Sequence, residues 1–254
     1  MKLPIVLTLA LLFPVCGFSA DPGPDGAAAP TAADNNFDEF LLFEEDDIVE
    51  VYDPLEPINR GIFWFNDKLY FYALKPAARA YRVVPEGLRV AVKNFFLNLQ
   101  TPIRVVNAGL QGKFDIAGNE LTRFATNSTL GIGGLFDPAR DHFNLRIHKE
   151  DTGQTLGHYG TGPGPYLVLP LLGPSSLRDG IGSIADANLD LAWYFWGKDA
   201  GENNYDYIGA RTLNTINEVS LDKDTYENIK QDALDPYLFI RDAHAQMRRN
   251  LIDN

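Results

Sequence analysis

Apolar side chains recur every three to four residues through most of the chain after residue 57, the spacing of helices with one apolar face. Ile58 to about Leu74 opens the series. Phe63, Trp64, Phe65, Tyr70, Phe71 and Tyr72 cover more than one stripe of it, so this helix either fills a core or lies at a membrane interface. Pro57 marks its start, and Pro76 is expected to end it. A second helix runs from about Pro85 with Leu88, Val92, Phe95, Phe96 and Leu99 in step, breaks near Pro102, and resumes through Val105, Val106 and Leu110. A third, about 115–125, shows Ile116, Leu121 and Phe124 on one face and Arg123 on another, with Asn127-Ser128-Thr129 as its stop. Ser175 or Ser176 caps the next helix, which reaches about Leu191. The aromatic cluster Trp193, Phe195 and Trp196, a helix over Ile208–Val219, and a last one over Asp224–Asn250 broken at Pro236 complete the chain. No segment reads as a convincing hairpin, and the fold class is mainly α.

Two stretches depart from this pattern. Gly157–Asp179 sets five glycines and four prolines around the apolar run Pro165–Leu172. Pro165 and Pro170 exclude an interior helix and a central strand. Tyr166, Leu167, Leu169 and Leu171 are therefore candidates to meet lipid or line its path, together with Phe63, Trp64 and Phe65. Leu130–Pro138 is the second such loop. Gly131, Gly133 and Gly134 there, and Gly162 and Gly164 in the first, are candidate hinges where backbone needs positive φ or close approach.

The N-terminus has Lys2, an apolar run from Leu3 to Phe13 and small residues over Gly17–Ala20, the layout of a signal peptide at 1–19. Cys16, the one cysteine, follows that run as a lipidated cysteine would; Phe13 and Val15 flank it poorly, and cleavage after Ser19 competes. Residues 20–51 form a Pro/Gly/Ala-rich leader that turns acidic and is expected to be largely disordered. Residues 21–53 carry Asp or Glu at eleven positions and no Lys or Arg, so most of the net charge of −12 belongs to the leader. The body, 52–254, is nearly neutral, long enough for one domain and without a basic patch, which argues against nucleic acid as a partner. It holds no apolar run of membrane-spanning length.

Catalytic chemistry finds little support. Gly160-x-Gly162-x-Gly164 lacks the strand-to-helix frame of a nucleotide loop, because Pro163 and Pro165 interrupt it. His158 with Ser175, Ser176 and Asp179 supplies hydrolase residue types without a nucleophile elbow. His142, His148, His158 and His244 lack metal-binding spacing. No enzyme, cofactor or metal is assigned. Two readings stay open on these residues, a structural or adhesin-like surface lipoprotein and a lipid hydrolase.

The motifs taken together resemble the MlaA, or VacJ, family. They are Asp53-Pro54-Leu55-Glu56-Pro57-Ile58-Asn59-Arg60, Leu110-Gln111-Gly112-Lys113, Arg123-Phe124-x-x-Asn127-Ser128-Thr129-x-Gly131-x-Gly133-Gly134-x-x-Asp137, Gly153 to Gly160 through Arg178-Asp179, and Asp235-Pro236-Tyr237. The resemblance covers about 52–254. It implies a ring-like helical domain set in the inner leaflet of a Gram-negative outer membrane, on its periplasmic side. It also implies an amphipathic channel that returns phospholipids from the outer leaflet, a trimeric porin partner and a periplasmic carrier of the MlaC type. Lys113, Arg123 and Arg178 are then candidate headgroup contacts.

Overall fold

The computed structural model describes residues 50–197, 205–222 and 224–253. The signal peptide, Cys16 and nearly all of the acidic leader lie outside the described residues. Chain order is α1 (Glu56–Leu69), a π-helical turn (Tyr70–Leu74), α2 (Lys75–Tyr81), α3 (Glu86–Leu99), α4 (Thr101–Leu110), α5 (Phe114–Thr129), α6 (Pro138–Phe143) and α7 (Thr152–His158). There follow β1 (Tyr166–Leu169), β2 (Gly173–Ser176), α8 (Leu177–Asp186), α9 (Leu191–Trp196), α10 (Tyr205–Leu221), α11 (Thr225–Asp232) and α12 (Pro236–Asp253). The mainly α fold is as expected, and no described helix is long and apolar enough to cross a membrane. Neighbours pair along the chain, α4 on α5 and α7 on α8, while α1 packs on the distant β1. Longer-range packing sets α10 against α2 and α3, and α12 against α7 and β2.

Local chemistry explains most boundaries. Pro57 and Pro102 stand in the first turns of α1 and α4, where a missing amide hydrogen costs nothing. Asp137, Asp151, Ser176 and Asp190 cap α6, α7, α8 and α9 by accepting from a backbone N–H in the first turn. Of the two serines offered for α8, Ser176 does the capping.

Three expectations need correction. Pro76 does not end a helix. The Lys75 amide bonds back to the Tyr70 carbonyl, five residues earlier, and the wider turn lets the helix pass through the proline. Helix α5 continues to Thr129 instead of stopping at Ala125, with the Thr129 hydroxyl donating to the Ala125 carbonyl at 2.7 Å.

The third is the hairpin, which exists where none was expected. β1 and β2 pair antiparallel from Tyr166↔Ser176 to Leu169↔Gly173. Leu171 and Gly173 take positive φ to close the turn. Side chains of α1 then satisfy the outer edge of β1. Asn59 donates to the Tyr166 carbonyl (3.0 Å) and accepts from the Val168 amide (2.9 Å). Asn66 does the same for the Leu169 carbonyl (2.9 Å) and the Leu171 amide (2.8 Å). Two asparagines thus take the place of a third strand, which lets so short a pair persist.

Candidate functional site

The interior is unusually polar. Among the described residues, buried polar and charged side chains outnumber buried apolar ones, and the fully buried set includes Arg211, Glu120, Asn59, Asn107, Asn217 and Asp190. The helices place them systematically. Helix α10 turns Tyr207, Arg211, Asn214, Asn217 and Ser220 inward, a stripe at helical spacing. Helix α8 buries Arg178, Asp179, Gly182 and Asp186, while Leu177, Ile181 and Ile184 stand outside at 46%, 55% and 44% exposure. Helix α5 buries Glu120, Arg123 and Asn127 and exposes Phe114 and Leu121. A helix in water does the reverse. Polar residues inward and apolar residues outward is the arrangement of a body whose surroundings are hydrocarbon.

The inward groups form hydrogen-bonded networks, with Arg123 Nε, Asp179 Oδ2 and Arg248 Nε left unpartnered within them. Arg104 binds Glu120 at 2.6 Å and Thr101 at 2.8 Å, while Glu120 also accepts from the His148 amide at 2.8 Å. Arg123 and Asn127 both reach Asp137 at 2.8 Å. Burial would raise the Asp137 carboxyl, but its hydrogen bonds from Arg123 and Asn127 outweigh that and hold it below the usual carboxylate range. The void among Asn98, Arg104, Arg123 and Asn127 is about 10 Å³, far too small for a lipid.

A second network joins α4 to α7 and α8. Asn107 donates to Asp186 (3.0 Å), the Thr152 hydroxyl donates to Asp186 (2.6 Å), and Gln111 and Lys113 reach Glu150 (2.7 and 3.2 Å). Burial pushes the Asp186 carboxyl up despite its bonds from Thr152. A third ties α12 to α7 and α8: Arg248 holds Asp151 with both ends of its guanidinium (2.6 and 2.9 Å) and reaches Asp179 at 3.0 Å, while Arg178 meets Asp179 at 3.0 Å. His244 is buried beside it, and burial lowers its imidazole to about 4.

These networks relocate several sequence-based candidates. Arg123 and Arg178 are buried and Lys113 nearly so, each bound to a carboxylate, so they brace helices instead of standing free for headgroups. Tyr166 is 3% exposed and packs edge-on against Tyr237, and Phe63 also meets Tyr237 edge-on at 5.7 Å. Both belong to an internal cluster, not to a lipid-facing surface. Trp64 and Phe65 are exposed. Leu167, Leu169 and Leu171 are half-buried on the hairpin's other side.

The glycine loop is constrained as its composition suggests. Ile132, Gly133 and Gly134 all take positive φ. A Cβ on Gly134 would stand 2.5 Å from the Asn98 Cβ, and one on Gly131 would stand 2.4 Å from the Phe136 carbonyl oxygen. Gly164 also takes positive φ; Gly162 has neither a positive φ nor a close neighbour. Leu130, Ile132 and Phe136 extend outward from this loop. Sequence reasoning missed the Arg104–Glu120 and Arg248–Asp151 pairs, whose members lie 16 and 97 residues apart.

The sequence profile of the family described as MlaA lipoprotein matches residues 51–251. An intermembrane phospholipid transport system lipoprotein MlaA from Shigella flexneri is 37% identical over 208 residues, covering 80% of this chain and 78% of its own length. Its Escherichia coli K12 counterpart is 36% identical over the same shares. An uncharacterized protein of Rickettsia conorii is 36% identical over 206 residues, 80% of this chain and 79% of its own. A solved structure concerned with the structural basis for maintenance of bacterial outer membrane lipid asymmetry superposes with a TM-score of 0.68 at 34% identity, covering 79% of this chain and 98% of that one. A profile match across nearly the whole body, and relatives of this identity and coverage, place the chain in the MlaA lipoprotein family.

Proposed function

We propose that this chain is the outer-membrane component of a retrograde phospholipid transport system. It takes phospholipids from the outer leaflet through an amphipathic passage and hands them to a periplasmic carrier of the MlaC type, which maintains lipid asymmetry. The observation that carries this reading is the inward-facing polar stripes of α5, α8 and α10, with exposed apolar residues on the outer sides of α5 and α8. The relatives named for intermembrane phospholipid transport supply the cargo class.

On this reading the ring-like body lies in the inner leaflet, periplasmic side, held by its own apolar surface and by an acyl anchor at Cys16 when that residue is lipidated. A trimeric porin steadies it. The cargo leaves chemically intact, which separates a transporter from a lipid hydrolase. The test is a deletion strain assayed for phospholipid exposed on the cell surface. A rise on deletion, reversed by the intact gene, supports the reading. An unchanged surface, or recovery of cleaved lipid, defeats it.

A further inference from the structure

Helix α1 carries chemistry that the interior networks leave unused. Its outward side is Ile58, Gly61, Trp64, Phe65, Lys68 and, in the following turn, Tyr72. Trp64 and Tyr72 are 63% and 77% exposed, and Lys68 stands midway between them in sequence. The Lys68 ammonium is 5.9 Å from the Trp64 ring centroid and 5.8 Å from that of Tyr72. At those distances both ring faces attract it, so the cation is held between two exposed aromatics instead of sweeping freely through solvent.

Three neighbouring cations are committed: Arg60 binds Glu56 and Asp235, Lys75 binds Glu227 and Asp224, and Lys230 binds Asp67. Asp67, adjacent to Lys68, faces inward and also accepts from Tyr226 at 3.0 Å. No described carboxylate lies within ion-pair distance of Lys68. Lys68 is thus left without a carboxylate partner among the described residues, between an indole and a phenol, on the helix side that also carries Ile58 and Phe65.

Each part matches a layer of a phospholipid at a bilayer surface. An ammonium suits the phosphate. Indole N–H and phenol O–H suit the ester and glycerol oxygens, the depth at which Trp and Tyr collect in membrane proteins. Ile58 and Phe65 suit the first methylenes of the chains. We propose that the Trp64–Lys68–Tyr72 face is a fixed site for the phosphate of an anionic bilayer phospholipid, distinct from lipid in transit, and that it sets the depth at which α1 rides in the interface. The site rests on the membrane placement proposed above.

The test uses the full chain and two vesicle compositions, phosphatidylcholine alone and phosphatidylcholine with phosphatidylglycerol. The site predicts tighter binding of the wild type to the anionic vesicles, a drop of roughly fivefold in that binding for Lys68→Gln, and retention for Lys68→Arg. Trp64→Ala weakens binding to both compositions. Arg249→Gln makes the same charge change on an exposed residue of α12 and leaves binding unchanged. Equal losses for Lys68→Gln and Arg249→Gln mean bulk charge alone and overturn the site. Identical binding by wild type and Lys68→Gln overturns it too, while the membrane reading stands. A wild type that binds neither vesicle overturns both. Matching melting curves establish that Lys68→Gln is folded.

Discussion

Gly182 of α8 lies directly against Gly153 of α7: a Cβ built on Gly182 would stand 2.4 Å from the Gly153 amide nitrogen and 2.9 Å from its Cα. The two helices touch backbone to backbone, which brings Arg248 within reach of both Asp151 and Asp179. Gly182→Ala forces the helices apart and is expected to lose about 3 kcal/mol or more, because backbone cannot give way as a side chain does. Gly180→Ala, two residues away, where a Cβ would meet nothing nearer than the Ser175 Oγ at 4.0 Å, leaves the melting temperature unchanged or slightly raised. Thermal unfolding of both variants in the same detergent checks the contrast.

The Arg104–Glu120 pair is fully enclosed, with side chains 7% and 0% exposed. Glu120→Gln leaves an uncompensated guanidinium in the interior and is expected to cost about 3–5 kcal/mol. Arg60→Gln, which breaks a pair whose members are more than a third exposed, should cost under about 1 kcal/mol. Denaturant titration of both distinguishes a polar interior that holds the fold from one that merely decorates it.

Strand β1 alternates buried and half-buried residues, so neighbouring substitutions on it should behave oppositely. Val168→Asp places a charge among Tyr166, Tyr237 and Phe63 and should abolish folding. Leu167→Asp stays folded and protease-resistant but weakens membrane binding or lipid transfer. Limited proteolysis followed by vesicle binding reads both. If the two behave alike, this strand has no lipid-facing side.

His244 gives a signed pH dependence. Its imidazole sits near 4 in the folded chain against an ordinary 6.5, chiefly from burial and also from Arg248 and Arg178, with Asp179 and Asp151 pulling the other way. The unfolded chain therefore takes up this proton first. The stability contributed by neutral His244 is whole above about pH 6.5 and is lost as pH falls from there toward 4, amounting to about 2 kcal/mol at pH 5. His244→Gln should flatten that part of the stability curve. A wild type and variant with parallel curves between pH 7 and 4 refute the assignment.

Much of the fold is legible in the chain because its signals are local. Pro57 and Pro102 mark helix starts, and Ser176 with Asp179 marks another; all three act within one turn. The hairpin is not legible. Tyr166-Leu167-Val168-Leu169 is uniformly apolar and shows no alternation, and the groups completing its edge, Asn59 and Asn66, lie more than a hundred residues away. Pro76 misleads because a π turn, which leaves no mark in the sequence, absorbs it. The surface was half legible. The spacing of Leu177, Ile181 and Ile184 announces an amphipathic helix, but the same period describes a helix whose apolar face points to a core and one whose apolar face points to lipid. Only the burial of Arg178, Asp179 and Asp186 gives the direction. For the same reason Arg123 reads as a free cation until the chain returns with Asp137.

The inverted helices change what solubility means for this chain. Folding ordinarily hides apolar side chains from water, so a soluble native state competes with a sticky unfolded one. Here compaction gathers the charges inside and leaves Leu121, Leu177, Ile181 and Ile184 on the outer faces. A correctly folded copy with no bilayer to lie in is itself adhesive, and the bilayer serves as the missing outer layer of its core. Overproduction beyond the available membrane area should therefore yield aggregates of native-like helical protein that mild detergent alone redissolves.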